Sequence, residues 1–479
     1  MRSAALSILM ASSMTACSMV GTAPSSDVQP PANWQAVDVA DVVAMDAPVT
    51  RWWQSFNDPL LTRMIEEAAA SNKDVAIAEA RLLEARAAAG LSRAALGPQL
   101  NAGVEGGTRR DDLQSERMRQ PHTDSTYYQA GFDASWEIDV FGGLRAGVES
   151  ARADFDAAKH DRNEVMVSLI AEVARNYFEL RGAQARLDVA QKNIDDQTDA
   201  LSLLRSRARA GLSSETDVAK ADADLQVLHS AVPPLQEQLA RAVYRLSVLR
   251  GRTPQLDKEL TNPASAAPKL PDSVAAGFPS DLLQRRPDVR AAQAEVLAAN
   301  ARVGVAKADL LPKFYVSGLL ASAEEDLGTV SLGPGLLYSI GPSVRLPIFN
   351  AGRLRANVEI KDARLQQALH RYEQVTLQAL EEVDSALSGF GHEKERLRTL
   401  TAAVDSANRA EKLAKAVYAS GLADYFSVID AQRSRYAAED ALANCQTAAV
   451  VKLVAVYKAL GGGWDAEALN HSEANVAAR

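Results

Sequence analysis

The sequence predicts a mainly α-helical, internally duplicated chain that also carries membrane-type β-strands. Three observations support this fold class. Similar segments recur in the two halves of the 479-residue chain, two long stretches contain no proline, and a few short segments alternate apolar with polar residues. Only 5% of the residues are aromatic and alanine is abundant, which favours long, closely packed helices over a bulky globular core.

The N-terminus has the layout of a signal peptide that ends at a cysteine. One basic residue precedes the apolar run AALSILMASSM, and the small residues Thr15 and Ala16 come directly before Cys17. A mature membrane helix needs about 20 apolar residues, so this run is too short. The stretch MTAC resembles a bacterial lipobox, which predicts a lipid anchor at Cys17. The absence of aspartate at Ser18 favours the outer membrane, and an ordinary secretory signal with an incidental cysteine is the alternative.

A duplication is the strongest internal signal. The segment ARAGLSSETDVAKAD, which contains Gly211, matches YASGLADYFSVIDAQ, which contains Gly421 at an offset of 210 residues. The same offset separates Gly251 from Gly461. Upstream, a helical block ending in LGPQL matches one ending in LLPKF. Each half is therefore predicted to run helix, strand, loop, strand, long helix, turn, long helix.

The predicted long helices are unusually long for a globular protein. Proline is absent from Leu144 to Ala210 and from Ile348 to the end of the chain. A helix of about 65 residues would be about 100 Å long. Apolar residues recur at three- and four-residue spacing, which predicts side-by-side packing in coiled-coil-like pairs. Pro233 and Pro234 interrupt the second long helix of the first half.

The organisation predicts five segments along the chain. They are a lipoprotein signal peptide at 1–16, an N-terminal anchor and equatorial segment at 17–57, a first structural repeat at 58–277, a second at 278–461, and a C-terminal tail at 462–479. The helix break, the proline-rich 262–279 and the C-terminal tail are assigned to an equatorial belt.

One candidate strand has a clearly apolar and a clearly polar face, whereas its second-half counterparts, FYVSGLLASA and LLYSIGPSVRLP, alternate less cleanly. In YYQAGFDASWEI, alternate residues from Tyr128 to Ile138 are apolar, including Phe132, whereas Asp133 belongs to the polar set. An ordinary soluble hairpin with one face on a core is the alternative. Four strands of about 10 residues suit a tilted membrane strand, yet the smallest closed membrane barrel needs about 8 strands. One chain cannot close, but three chains would supply 12 strands.

Catalytic and cofactor signals are weak. The net charge of −9 argues against nucleic acid as a partner. The six histidines have no metal-ligand spacing, and the sequence contains neither a phosphate-binding loop nor a Gly-x-Ser-x-Gly elbow. Cys445 lies in an apolar helical pattern and is predicted to be a buried thiol. No enzyme activity, metal or cofactor is predicted.

One block of the sequence is distinctive enough to indicate a protein family. FPSDLLQRRPDVRAAQAEVLAANARVGVAKADLLPKFYVSG, residues 278–318, resembles the hallmark segment of TolC-like outer-membrane efflux factors, especially the lipoprotein branch called the NodT family. The resemblance implies a homotrimer in which four strands per chain build a 12-stranded outer-membrane β-barrel, continuous with a trimeric α-helical barrel in the periplasm. It also implies passive conduction of drugs or other solutes from an inner-membrane RND-type transporter and a periplasmic adaptor to the exterior.

The resemblance also implies site residues. Asp430 matches the aspartate that projects into the channel constriction in this family, and three copies would form a negative ring. A surface aspartate capping the turn is the alternative. Ser427 departs from relatives that carry a second aspartate there. The expected gate residues are Asp430, Tyr425 and Phe426, and the expected adaptor-contact turns contain Gly211, Leu212, Gly421 and Leu422.

Two other classes of protein share some of these features. A lipid-anchored coiled-coil periplasmic adaptor or structural protein would also be helical, but such adaptors resemble one hairpin flanked by small β domains. Here the hairpin is duplicated and every strand pair lies between helices. A lipid-anchored enzyme would need a convergent constellation of polar residues, which the sequence does not contain.

Overall fold

The computed structural model describes residues 20–35, 42–43, 49–110, 124–261, 270, 274–275, 279–326 and 331–464. Within these ranges the chain forms ten α-helices and six β-strands. The helices are α1 (Pro59–Ser71), α2 (Lys73–Ala94), α3 (Gly143–Arg209), α4 (Glu215–Ser230), α5 (Val232–Leu249), α6 (Lys258–Thr261), α7 (Leu282–Arg285), α8 (Pro287–Ala308), α9 (Arg353–Ala419) and α10 (Phe426–Ala459). The strands are β1 (Val42–Val43), β2 (Gln99–Arg110), β3 (Asp124–Ile138), β4 (Val274–Ala275), β5 (Lys313–Asp326) and β6 (Ser331–Arg345).

The order of elements confirms the predicted duplication. In each half a helix of 22 residues precedes two antiparallel strands, and a helix of 67 residues follows them. The four long strands contain 12 to 15 residues, which is more than the ten or so expected, because the ladder of β2 with β3 continues in register to Arg110 and Asp124. The helix break is also confirmed, since α4 ends at Ser230 and α5 begins with prolines in its first turn.

The long helices of both halves end in the same hydrogen-bonded cap. At the end of α3 the N–H of Gly211 donates to the carbonyl of Ala208 at 2.9 Å, and the N–H of Leu212 donates to Arg207 at 2.9 Å. This is a Schellman motif, and the same two bonds at α9 are 3.0 and 3.2 Å long around Gly421. Both glycines have a φ of +75°, a conformation in which a side chain would be strained.

The larger sheet joins the two halves of the chain. Its strands lie in the order β2-β3-β5-β6, all antiparallel, with β3 and β5 as the central pair. Within the described ranges, β2 and β6 each pair on one side only. The short strands β1 and β4 form a separate parallel pair.

The chain divides into two compact units, and each draws on both halves of the sequence. The first unit comprises Arg81–Lys159 and Ala291–Glu373 together with the described residues up to Ser26, and it contains the four-stranded sheet. In this unit Val296, Ala299 and Val303 of α8 pack against Leu365 of α9.

The described parts of Asp27–Ala80, His160–Arg290 and Gln374–Arg479 form the second unit, which has a large aromatic core. The Trp52 ring stacks on Tyr457 with ring centroids 5.0 Å apart, and Phe56 lies 4.8 Å from Phe178. Asp58 caps α1 by accepting hydrogen bonds from the first turn. Cys445 is fully buried, as predicted, and burial raises the pKa of its thiol to about 12.

The RRPD motif of the hallmark block forms a buried ion-pair network in the second unit. The Arg286 guanidinium donates to Asp288 at 3.0 and 2.7 Å, to Glu382 at 2.7 Å and to the carbonyl of Ala459 at 3.0 Å. One side chain thereby ties the start of α8 to α9 and to the C-terminal end of α10. The charged hydrogen bonds compensate for its burial, because each partner is either a carboxylate or an orphan carbonyl of a helix end.

The surroundings of Glu164 on α3 disfavour the charged form of its carboxyl group. Burial is the main cause that raises the pKa of Glu164 to about 7. The nearby carboxylate of Asp288 contributes to the rise, whereas Arg286, Ser168 and Lys458 oppose it. The unfolded carboxyl titrates near 4.5. A raised folded-state pKa means that this group costs no stability at low pH and costs progressively more as the pH rises from about 4.5 to about 7.

We therefore expect Glu164→Gln to stabilise the protein at pH 8 and to have little effect at pH 5. The gain at pH 8 should be about 1–2 kcal/mol per chain after allowance for solvent screening. Thermal melting of the purified protein at both pH values measures the difference. Glu149→Gln, on an exposed position of the same helix, is the matched control. Equal melting shifts at pH 5 and pH 8 would contradict the assignment.

Candidate functional site

The apolar face of β3 is exposed in the chain. Tyr128, Phe132, Trp136 and Ile138 all lie open to the surroundings, with 54% of Phe132 accessible. The soluble-hairpin alternative requires this face to pack on a core, which it does not do. Exposure of an alternating apolar face is what lipid contact requires.

This face continues across all four long strands. Phe132 lies opposite Ala102 of β2 and Leu320 of β5, and Leu320 in turn lies opposite Tyr338 of β6. Other large apolar residues with the same orientation are also exposed, namely Leu100, Val104, Leu336, Ile340 and Val344. An exposed apolar surface that extends over four strands is unfavourable in water, and it is suited to a hydrocarbon layer.

The opposite face carries polar groups that bond to one another. The Asn101 amide donates to the Asp133 carboxylate at 3.0 Å, and the Tyr127 hydroxyl donates to Glu105 at 3.2 Å. Ser135 and Glu137 follow on the same face. The sheet therefore separates an apolar side from a water-compatible side, as the sequence alternation predicts.

At the other candidate site, a short turn joins α9 to α10. Tyr425 precedes the first residue of α10 and is only 7% exposed, packed in a hydrophobic cluster with residues such as Leu204, Leu225 and Val428. Its ring centroid is 5.1 Å from that of Tyr418. Burial raises the pKa of Tyr425 to about 12. The sequence did not determine the direction of this side chain, and the structure directs it into the hairpin.

Phe426 and Asp430 differ from Tyr425 because both are exposed in the chain. The Phe426 ring faces the ammonium of Lys220, which is 5.3 Å from the ring centroid. Asp430 lies within α10, five positions after the N-cap residue Tyr425, so it does not occupy the capping position of the turn.

Sequence reasoning missed an ion pair beside this turn. The Arg433 guanidinium on α10 donates to the Asp224 carboxylate on α4 at 3.0 Å. The hydrogen bond with Asp224 is the main cause that raises the pKa of Arg433, and the charge of Asp430 adds a smaller contribution. The two residues occupy nearly equivalent positions after Gly211 and Gly421, so complementary charges in the aligned repeats were an available signal.

The two Schellman turns present apolar side chains. Leu212 and Leu422 directly follow the capping glycines and are 68% and 82% exposed. The structure therefore places all four predicted turn residues in equivalent turns of the two repeats.

Cys17 lies outside the described residues. The nearest described part of the N-terminal segment is held by α8, because the Asn300 amide donates to the carbonyl of Gly21 at 2.6 Å. The proline-rich 262–279 and the C-terminal tail 462–479 also lie mostly outside the described ranges.

Two other features are absent from the described ranges. None of the helices there combines the length and apolarity needed to cross a membrane. The same residues contain no group of three or more His, Cys, Asp and Glu side chains that could hold a metal ion.

Comparison with known families identifies the chain. The family model described as outer membrane efflux protein matches residues 64–252 and 278–462. The chain belongs to this family. It is 33% identical to the pyoverdine export outer membrane protein OpmQ of Pseudomonas putida over 95% of this chain and 96% of that protein. It is also 32% identical to the solvent efflux pump outer membrane protein SrpC of Pseudomonas putida, over 85% of this chain and 86% of that one.

A solved structure of the outer-membrane channel OprN superimposes with a TM-score of 0.85 at 33% identity, covering 93% of this chain and 99% of OprN. As a member of the family, the protein is the outer-membrane channel of a tripartite efflux pump. It is a homotrimer that works with a periplasmic adaptor and an inner-membrane RND pump, and it extends from the outer membrane into the periplasm. Members of the family are channel proteins rather than enzymes.

The two faces of the sheet generate a paired test. Phe132→Arg should lower the yield of trimer in the outer membrane, because an arginine near the bilayer midplane costs about 2–4 kcal/mol. Asp133→Arg, on the adjacent position and the opposite face, should leave the yield close to that of the wild type. Heat-modifiable migration of the trimer from outer-membrane fractions measures both. Equal losses for the two variants would contradict the assignment of the faces.

Proposed function

We propose that Asp430 forms the gate of the channel at its periplasmic end. In a homotrimer three Asp430 carboxylates are related by the molecular axis, and a ring of carboxylates attracts cations and repels anions. The observation that carries this proposal is that Asp430 is exposed and caps no helix. Phe426, also exposed, is proposed to narrow the same opening.

Tyr425 receives a different role in this proposal. Its burial against Tyr418 suits a residue that holds the turn in place rather than one that lines the opening. The Asp224–Arg433 pair supports the same end of the hairpin, because it ties α10 to α4 three residues after Asp430. The gate is thus proposed to consist of the exposed residues Asp430 and Phe426, held in place by the buried Tyr425 and by the Asp224–Arg433 pair.

The two turns are proposed to contact the periplasmic adaptor. Leu212 and Leu422 are exposed on tight turns, and removal of such apolar side chains from water would favour association. The equivalence of the turns would offer the adaptor two similar sites per chain.

The protein is proposed to conduct solutes passively and to have no catalytic activity of its own. Drugs or other small solutes would be selected by the pump and not by the channel. Two relatives of similar identity support this view, because the name of one specifies pyoverdine export and the name of the other specifies solvent efflux. Deletion of the gene followed by profiling of drug, metal and solvent sensitivity would define the substrates.

We propose further that Cys17 carries the lipid anchor after removal of residues 1–16, and that 17–57, 58–277, 278–461 and 462–479 are the successive segments of the mature chain. The leader layout and the small residues before Cys17 support the anchor. Mass spectrometry of the mature N-terminus should detect an acylated cysteine. A free N-terminus at another residue would exclude the anchor and leave the channel function intact.

The gate proposal predicts a gain of conductance. Asp430→Ala should raise single-channel conductance in planar bilayers and reduce block by cations, because the constriction loses its ring of charge and part of its bulk. Trimer assembly should be unchanged. Asp424→Ala is the matched control, since Asp424 is exposed in the same turn. Unchanged conductance in normally assembled Asp430→Ala trimers would contradict the gate proposal and would make Asp430 an ordinary surface residue.

A further inference from the structure

A cavity of about 300 Å³ lies in the second unit between α3, α4 and α10. Its apolar wall is made by Val227, Leu228 and Ile429, and polar side chains complete the lining, namely Gln197, Asp224, Gln432, Arg433 and Tyr436. This volume is at the lower limit of pockets that hold small organic ligands. None of the functions assigned to the channel uses this space.

Two acceptor atoms of the lining have no partner among the described residues. The Gln432 side chain is only 2% exposed, and its amide oxygen accepts no hydrogen bond. One oxygen of Asp224 is occupied by Arg433, whereas the other has no partner. Buried acceptors without donors are costly, at about 1–3 kcal/mol each, so a ligand that supplies donors would recover this energy.

Two donors of the cavity wall are engaged elsewhere. The Gln197 amide donates to the carbonyl of Ala221 at 3.0 Å, and the Arg433 guanidinium is committed to Asp224. The Tyr436 hydroxyl also lacks a partner within the described ranges, so no donor of the lining bonds to either unpartnered acceptor in this arrangement of side chains.

The charges around the cavity favour a cation. Arg435, adjacent to the lining residue Tyr436, pairs with Asp196, Glu411 and Glu439, and Glu411 also pairs with Lys415, so that three carboxylates lie beside two cations. The Arg433–Asp224 pair is neutral as a whole. A negative surplus next to unpartnered acceptors suits a positively charged hydrogen-bond donor.

We propose that this cavity binds small apolar molecules that carry a protonated amine. The ammonium group donates hydrogen bonds to Gln432 and Asp224, and the apolar body packs on Val227, Leu228 and Ile429. A neutral hydrocarbon would leave the acceptors unpartnered, and a carboxylate would add like charge, so both are discriminated against.

The test uses the purified full-length trimer in detergent and 4-fluorobenzylamine as the probe. Line broadening of its fluorine NMR signal, corrected for empty micelles, reports binding. 4-Fluorotoluene lacks the amine and 4-fluorobenzoate carries the opposite charge, so each should bind at least about tenfold more weakly than the amine. Equal broadening by all three compounds, or no broadening by the amine, would overturn the proposal.

Two variants locate the site. Val227→Trp fills the mouth of the cavity from a side chain that is 67% exposed, so it should abolish binding while the trimer still assembles. Gln432→Leu retains the approximate volume of the side chain and removes the unpartnered acceptor. It should weaken binding of the amine about tenfold without weakening binding of 4-fluorotoluene. Leu203→Trp, exposed on α3 and outside the lining, is the matched control. Undiminished amine binding to Val227→Trp would place the ligand elsewhere and refute the assignment.

Discussion

Backbone hydrogen bonding in a lipid environment is the constraint on which the rest of this structure depends. Every N–H and C=O group in the hydrocarbon layer needs a partner, because each unsatisfied group costs several kcal/mol. Within the described ranges, the sheet β2-β3-β5-β6 leaves β2 and β6 paired on one side only. Cyclic association of three chains brings β6 of one chain beside β2 of the next. The strand directions alternate along the sheet, so this junction is also antiparallel, and 12 strands close without an edge.

The same constraint accounts for the inverted polarity of the sheet and for the duplication. A soluble sheet buries its apolar face, whereas Phe132 and Ile340 are exposed here and Asp133 bonds to Asn101 on the opposite side. Each half of the sequence supplies one strand pair and one long helical hairpin. The near-identical Schellman caps at Gly211 and Gly421 show that the two hairpins are built by the same local rules.

Much of the fold could be predicted because its signals are local. Proline ends α4, glycine with positive φ ends the long helices, and residue alternation defines β3. The contacts between residues far apart in the sequence could not be predicted in this way. Arg286 bonds to Glu382, 96 residues away in the sequence, and the Asp224–Arg433 pair spans 209 residues. Such partners depend on which helices become neighbours, which no local pattern specifies. For the same reason, the sequence located the turn at Tyr425 correctly but did not indicate that this side chain packs inward.

The second unit also contains two hydrophobic clusters of unequal size, and this difference bears on how the proposed gate could open. The cluster around Tyr177 and Phe178 comprises 32 buried residues, whereas the one around Tyr425 comprises 8. Segments with few buried apolar contacts open at lower free-energy cost than the main core. A cavity of about 300 Å³ and unpartnered buried acceptors lie beside the smaller cluster, which lowers its cohesion further. The start of α10, which carries Asp430, is therefore held by a small cluster and by the Arg433–Asp224 bond to α4. It can move at a lower free-energy cost than the larger core, which is what a gate at the end of a stable channel requires.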